Sequence, residues 1–106
     1  MELVETTGFT RRISGLMGDD EYQVLQRHLA RCPESGVVIP GSGCIRKLRW
    51  SGSGRGKRGG VRIIYYHAVS RSVILMLDVF AKNERSDLTQ GQLRILARVV
   101  AEEYGK

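Results

Sequence analysis

Residues 61–81, VRIIYYHAVSRSVILMLDVFA, decide the fold of this chain. Residues 61–69 are rich in β-branched and aromatic side chains, which favour a strand. Residues 73–81 are almost continuously apolar, and such a run is typical of a strand in the middle of a sheet. The few residues between them leave room only for a tight connection, so the two strands are predicted to pair as neighbours. Asp78 interrupts the second run and is expected to pair with a cation.

Weaker strand patterns lie on the N-terminal side of this pair. Residues 44–50 alternate between two faces, with Cys44, Arg46, Leu48 and Trp50 on one and Ile45, Lys47 and Arg49 on the other. Residues 37–39 form a short β-branched stretch, and residues 2–7 have the valine and threonine content of a first strand. Residues 51–60 contain only Gly, Ser, Lys and Arg, which predicts a loop.

Two helices are predicted between the first strand and residue 33. In the first, Thr10 is a candidate N-cap, and apolar side chains recur at helical spacing at Phe9, Ile13, Leu16 and Met17. In the second, Asp19 is a candidate cap and Pro33 ends the helix. One face of this second helix carries Tyr22, Leu25, Leu29 and Cys32.

A third helix at the C-terminus has the clearest signals. Thr89 and Gln92 have the spacing of a capping box, and Leu88 and Leu93 stand at the two positions of a hydrophobic staple. An apolar stripe then continues at helical spacing through Leu93, Leu96, Ala97, Val100 and Tyr104.

The element order β–α–α–β–β–β–α predicts an α+β fold. We expect a small antiparallel sheet of three to four strands, with the two N-terminal helices and the C-terminal helix packed on one face. With 106 residues, the chain is expected to form a single domain over residues 1–106. Its apolar runs are shorter than the roughly 18 residues that span a bilayer, and its start lacks the pattern of a signal peptide, so a cytoplasmic location without membrane contact is expected.

Positive charge is concentrated in residues 46–62, RKLRWSGSGRGKRGGVR. Residues 35–77 contain no Asp or Glu and hold eight of the 17 cations, which leaves nine cations and 11 acids in the rest of the chain. The net charge of +6 therefore originates in one segment. Such a segment predicts a polyanionic partner, most simply a nucleic acid. The alternative is a solvated basic face with no specific partner.

The runs GKRGGVRIIYY (residues 56–66) and AKNERSDL (residues 81–88) together resemble the RelE/ParE toxin superfamily, and most closely its HigB-like branch among the RelE toxins. The resemblance extends over nearly the whole chain and implies the toxin of a type II toxin–antitoxin module. RelE and HigB toxins cleave mRNA on translating ribosomes, whereas ParE toxins poison DNA gyrase without cleaving RNA. We therefore expect a ribosome-dependent mRNA endoribonuclease. The alternatives are a ParE-like gyrase inhibitor and a degenerate module that only binds antitoxin or nucleic acid.

Position by position, the resemblance also implies a set of site residues. The expected catalytic residues are Arg62, Lys82, Lys47 and Arg49, of which Arg62 falls where RelE-type toxins hold the scissile phosphate. The expected RNA- or ribosome-binding residues are Arg46, Arg55, Lys57, Arg58, Arg85 and Tyr66. Asn83 stands where some RelE toxins have an arginine, and Thr89 stands near the position of their catalytic tyrosine. The general acid and base therefore stay open.

The residue types suit RNA cleavage without a metal ion. Because the basic segment contains no carboxylate, a paired-carboxylate metal site is not expected there, and neither is a cofactor. Cations held on a sheet stabilise the negative charge that develops on the phosphate. A lysine among arginines is a candidate base, since like charges disfavour its protonated form.

The expected partners are a cognate HigA-like antitoxin with a helix-turn-helix domain and the ribosome with mRNA in its A site. Two interpretations stay open, those of Trp50 and Lys82. Trp50 either packs in the core or stacks on a nucleobase, and one of the adjacent Tyr65 and Tyr66 is expected in the core. Lys82 either serves the site or pairs with a nearby acid. The two cysteines are expected to be reduced, partly buried thiols.

Overall fold

A computed structural model of the chain describes residues 1–51, 60–82, 84 and 87–104. Within these residues the strands are β1 (Glu2–Glu5), β2 (Val37–Val38), β3 (Ile45–Trp50), β4 (Val61–Ala68) and β5 (Val73–Ala81). The helices are α1 (Thr7–Leu16), α2 (Asp19–Arg31) and α3 (Gln90–Tyr104), and a 3-10 turn at Val69–Arg71 joins β4 to β5. None of the helices in the described part is long and apolar enough to cross a membrane.

The strands form one mixed sheet in the order β1-β5-β4-β3-β2. β1 runs parallel to β5, and the other neighbouring strands are antiparallel. The predicted α+β class is confirmed, but the prediction of a purely antiparallel sheet of three to four strands is wrong. The additional strand, β2, has only two residues, which pair with Lys47 and Arg46. The β-branched stretch at residues 37–39 contains this strand, but two paired residues are too few to predict its place in the sheet. Strand direction leaves no mark in the composition of β1.

The helices cover both faces of the sheet, which corrects the expectation that they share one face. On one side, Phe9 of α1 and Leu25 of α2 pack with Ile63 and Met76. On the other side, Val100 and its neighbours on α3 pack with strand residues such as Ile64, Leu75 and Phe80. The physical reason lies in β4 and β5, where consecutive residues are buried. Because successive side chains on a strand point to opposite faces, both faces of these strands must be covered.

The helix starts agree only in part with the sequence prediction. α1 begins three residues before the expected cap, because the side chain of Thr6 accepts a hydrogen bond from the backbone N–H of Phe9. The capping box of α3 is confirmed, since the N–H of Thr89 donates to Gln92 Oε1 at 2.8 Å and the N–H of Gln92 donates to Thr89 Oγ1 at 3.1 Å. Leu88 and Leu93 both pack against the α3-side core, as expected for a staple.

Tyr65 connects the segment after α2 to the middle of the sheet. Its ring is fully buried, its hydroxyl donates to the carbonyl of Pro33 at 2.7 Å, and it accepts from the N–H of Gly36 at 2.9 Å. Desolvation by burial raises the pKa of this phenol. A Cβ atom at Gly36 would lie 2.9 Å from the Tyr65 hydroxyl, so the close approach requires glycine. Tyr66 is only half-buried, so the expectation that one tyrosine of the pair is core is confirmed.

We predict that Tyr65→Phe lowers the free energy of unfolding by about 1–3 kcal/mol, because it leaves the buried N–H of Gly36 without an acceptor. Tyr66→Phe is the matched control, since it removes the same atom from the adjacent, half-buried ring. Urea unfolding of both variants measures the difference. Equal stability of the two variants would contradict the role of Tyr65.

Candidate functional site

The pairing of β3 with β4 brings three of the four expected catalytic residues together. Arg49 lies directly opposite Arg62 in the register, and Lys47 lies opposite Ile64. Ile64 belongs to the core under α3, so Lys47, Arg49 and Arg62 all lie on the α3 side of the sheet. We call these three residues the cation cluster. The predicted alternation is confirmed for residues 45–50, whereas Cys44 precedes the strand.

The three cations of the cluster lie at different depths. Arg62 is only 5% exposed, the side chain of Lys47 is 29% exposed, and Arg49 is exposed. Arginine keeps its charge even when buried, so the cluster places a permanent positive charge beneath more accessible ones. From sequence alone, Arg62 would be treated as a surface residue whose removal spares the fold. Its burial means that Arg62→Ala also removes packed volume from the sheet.

A carboxylate covers part of the cluster. Lys47 Nζ donates to Asp87 Oδ2 at 2.9 Å. The hydrogen bond from Lys47 is the main cause that lowers the pKa of Asp87. Burial opposes it, and the N–H of Leu88 and the charges of Lys47 and Arg62 lower the pKa further. The carboxylate therefore occupies a position with at least two cations nearby. Such a position equally suits a phosphate oxygen.

Sequence reasoning missed this role of Asp87. The ion pair joins residues 40 positions apart, and no local pattern indicates which cation the carboxylate meets. The only sequence feature that points to it is the presence of an acid in the run AKNERSDL (residues 81–88). Asp87 is one of the acids near Lys82 in sequence, but its carboxylate pairs with Lys47.

Lys82, the fourth expected catalytic residue, is exposed at the end of β5. Its backbone N–H donates to the carbonyl of Gly60 at 3.2 Å, which ties this end of β5 to the start of β4. Gly60 has a φ of +63°, and a Cβ there would lie 2.4 Å from the carbonyl oxygen of Trp50. Glycine is therefore required where the chain enters β4, one residue from Val61 and two from Arg62.

Of the six expected RNA- or ribosome-binding residues, the structure describes two, Arg46 and Tyr66. Arg46 Nη1 donates to the carbonyls of Gly36 at 2.7 Å and Glu34 at 3.3 Å, on the sheet face opposite the cation cluster. The ring of Tyr66 lies 6.2 Å from the ring of Tyr104 on α3. Their contacts with RNA stay predictions. The other four members of the set lie outside the described residues: Arg55, Lys57, Arg58 and Arg85. Asn83, in the run AKNERSDL, also lies outside them.

Other polar residues have mainly structural contacts. Asp78 pairs with Arg12 at 3.0 Å, which confirms the expectation of a cationic partner. Cys32 and Cys44 are both free and exposed, so the expectation of partial burial is wrong. Among the described residues, no group of three or more His, Cys, Asp and Glu side chains is placed to hold a metal ion.

No protein-family model matches the chain.

We predict that Asp87→Asn strengthens binding of single-stranded RNA. The substitution keeps an oxygen for the N–H of Leu88 but removes the charge that competes for Lys47. One additional phosphate contact is expected to steepen the slope of log K against log salt by about 0.7. Fluorescence anisotropy with an uncleavable oligonucleotide at several salt concentrations measures both effects.

Glu103→Gln is the control for the change in net charge, because Glu103 is exposed on α3. If the two variants gain the same affinity and show the same salt slope, Asp87 does not compete with phosphate.

Proposed function

We propose that this chain is the toxin of a type II toxin–antitoxin module and that it cleaves mRNA on the ribosome. The observation that carries the proposal is the cation cluster, in which Lys47, Arg49 and the buried Arg62 share one face of two adjacent strands. The concentration of positive charge in residues 46–62 and the resemblance to RelE-type toxins support the same conclusion.

The proposed reaction is an internal transesterification. The 2′-oxygen of one ribose attacks the adjacent phosphorus, the bond from phosphorus to the 5′-oxygen breaks, and the products are a 2′,3′-cyclic phosphate and a free 5′-hydroxyl. The 2′-hydroxyl loses its proton to solvent water, and the leaving 5′-oxygen gains a proton from a lysine of the site. Arg62 and Arg49 are proposed to stabilise the charge that develops on the phosphate oxygens.

Burial of Arg62 favours this role. A positive charge in a site that excludes water interacts more strongly with developing negative charge than the same charge in solvent. Because the strand and its packing hold the side chain, little reorganisation is needed when the phosphate arrives. Arg49 is exposed and is proposed to make the first contact with the RNA backbone.

Proton transfer is assigned to a lysine of the site. Lys47 lies in the cation cluster, and Lys82 lies at the end of β5 beside the start of β4. In the proposed mechanism, the approaching phosphate displaces Asp87 from Lys47, which frees the ammonium group to donate a proton to the 5′-oxygen. Lys82 is the second candidate for this step.

The proposed partners follow from the same surface. Ribosomal RNA supplies further phosphates for the basic segment around the cluster. A HigA-like antitoxin is proposed to hold the toxin inactive. An acidic segment of that antitoxin would compete with RNA for the cluster in the same way that Asp87 does.

Primer extension on a defined mRNA, with purified protein and with or without programmed ribosomes, tests the proposal. We predict cuts only when ribosomes are present, at fixed positions within A-site codons. Cuts in RNA without ribosomes would support the nuclease activity but contradict the requirement for the ribosome. Absence of cuts with a folded protein would contradict the nuclease, and a gyrase supercoiling assay would then separate a ParE-like inhibitor from a binding-only module.

We predict that Arg49→Ala reduces ribosome-dependent cleavage about 100-fold, because it removes one preorganised contact to the transition-state charge. Arg98→Ala removes an exposed cation from α3 and is expected to retain activity. Arg49 is the better test than the buried Arg62, since its loss removes little packing. Equal activity of the two variants would contradict the site.

A further inference from the structure

A cleft lies at the edge of the sheet beside the end of β3. β2 pairs only with Arg46 and Lys47, so residues 48–50 extend beyond it and are paired on that side by no described strand. A cavity of about 300 Å³ opens here and is lined by His28, Leu48, Arg49, Trp50 and Ser51. We call it the Trp50 cleft. Its volume lies at the lower end of the range for small-molecule sites.

Two aromatic rings stand together in this cleft. The ring centroids of His28 and Trp50 are 5.2 Å apart, with an angle of 47° between the ring planes. His28 Nε2 lies 3.1 Å from Ser35 Oγ, and this hydrogen bond fixes the orientation of the imidazole. Trp50 packs on one side against the core under α1 and α2. The pair thus forms a fixed aromatic surface that faces the cleft.

Trp50 also carries an unused hydrogen-bond donor. Its Nε1 atom is buried and makes no hydrogen bond within the described part of the chain. Most buried donors in folded proteins are paired, so an unpaired indole N–H indicates a missing acceptor. Trp50 as a whole is only half-buried, so a ligand in the cleft can contact exposed atoms of its ring but not the buried N–H.

The cleft reaches Arg49 only at the edge of the sheet, because the side chains of Arg49 and Trp50 point to opposite faces of β3. Arg49 lines the cleft and also lies opposite Arg62 in the strand register. Trp50 is the next residue along β3. Because both residues line the same cleft, a nucleotide bound at this edge could contact Arg49 with its phosphate and the aromatic pair with its base. Among the described residues, those that line the cleft include no acid that would repel the phosphates on either side of the base.

From this arrangement, we infer that the Trp50 cleft binds one unstacked nucleobase of the single-stranded RNA whose phosphate contacts Arg49. The base stacks on the His28–Trp50 surface. Stacking of unpaired bases on aromatic side chains beside cationic groups is the usual way in which proteins hold single-stranded RNA. The inference rests on the proposed function for the identity of the polymer, but it concerns binding and requires no cleavage.

Trp50 is the only tryptophan of the chain, so its fluorescence reports directly on the cleft. The probe is a short 2′-O-methyl oligoribonucleotide, which lacks the nucleophile and is not cleaved. The comparison is an abasic oligomer with the same phosphates. We expect the first to quench Trp50 fluorescence and to bind about tenfold tighter or more than the second.

Variants separate stacking from phosphate contact. His28→Ala is expected to remove most of the base-dependent affinity and quenching while leaving the affinity for the abasic oligomer unchanged, and His28→Phe is expected to restore both. Gln23→Ala, on an exposed position of α2, is the control. Equal affinity for the two oligomers, without a change in Trp50 fluorescence, would overturn the inference.

The experiment also distinguishes this inference from the proposed function. If bases quench Trp50 fluorescence but the protein cleaves no mRNA on ribosomes, base binding in the Trp50 cleft is supported and the proposed nuclease activity is contradicted. If the protein cleaves mRNA on ribosomes but bases do not quench Trp50 fluorescence, base binding in the Trp50 cleft is contradicted and the proposed function is not. Failure to bind either oligomer would overturn the inference that the Trp50 cleft binds a nucleobase.

Discussion

The structure depends on one constraint, which is that the two central strands are apolar on both faces. Side chains such as Ile63 and Ile64 are adjacent in sequence, are both fully buried, and point to opposite sides of the sheet. Each face must therefore be covered. The path of the chain from β1 at one edge to β2 at the other carries α1 and α2 across one face, which leaves α3 to cover the second.

The candidate site is a consequence of this covering. Because α3 packs on the face that carries the cation cluster, Asp87, just before α3, lies close enough to contact Lys47. On the same face of the sheet, Arg62 is buried while Arg49 is exposed. The site thus combines a buried charge, an accessible charge and a carboxylate, and in the proposed function a phosphate replaces this carboxylate.

The sequence predicts those features that depend on local patterns. The alternation of residues 45–50, the capping box at Thr89 and the burial of one tyrosine all follow from spacing and residue type, and all are present. The parallel direction of β1 and the pairing of Lys47 with Asp87 depend on contacts between distant parts of the chain. Local patterns contain no information on such contacts. The burial of Arg62 is likewise decided by what packs above it.

The central claim is that RNA phosphates bind at the cation cluster on the α3 side of the sheet. Chemical-shift mapping by NMR, with an uncleavable single-stranded RNA added to the isotope-labelled protein, tests it most directly. The account predicts that the largest changes occur at Lys47, Arg49 and Arg62 and at the amides of Asp87 and Leu88, where the carboxylate is displaced. Changes confined to α1, or to the end of α3 far from the cluster, would contradict it.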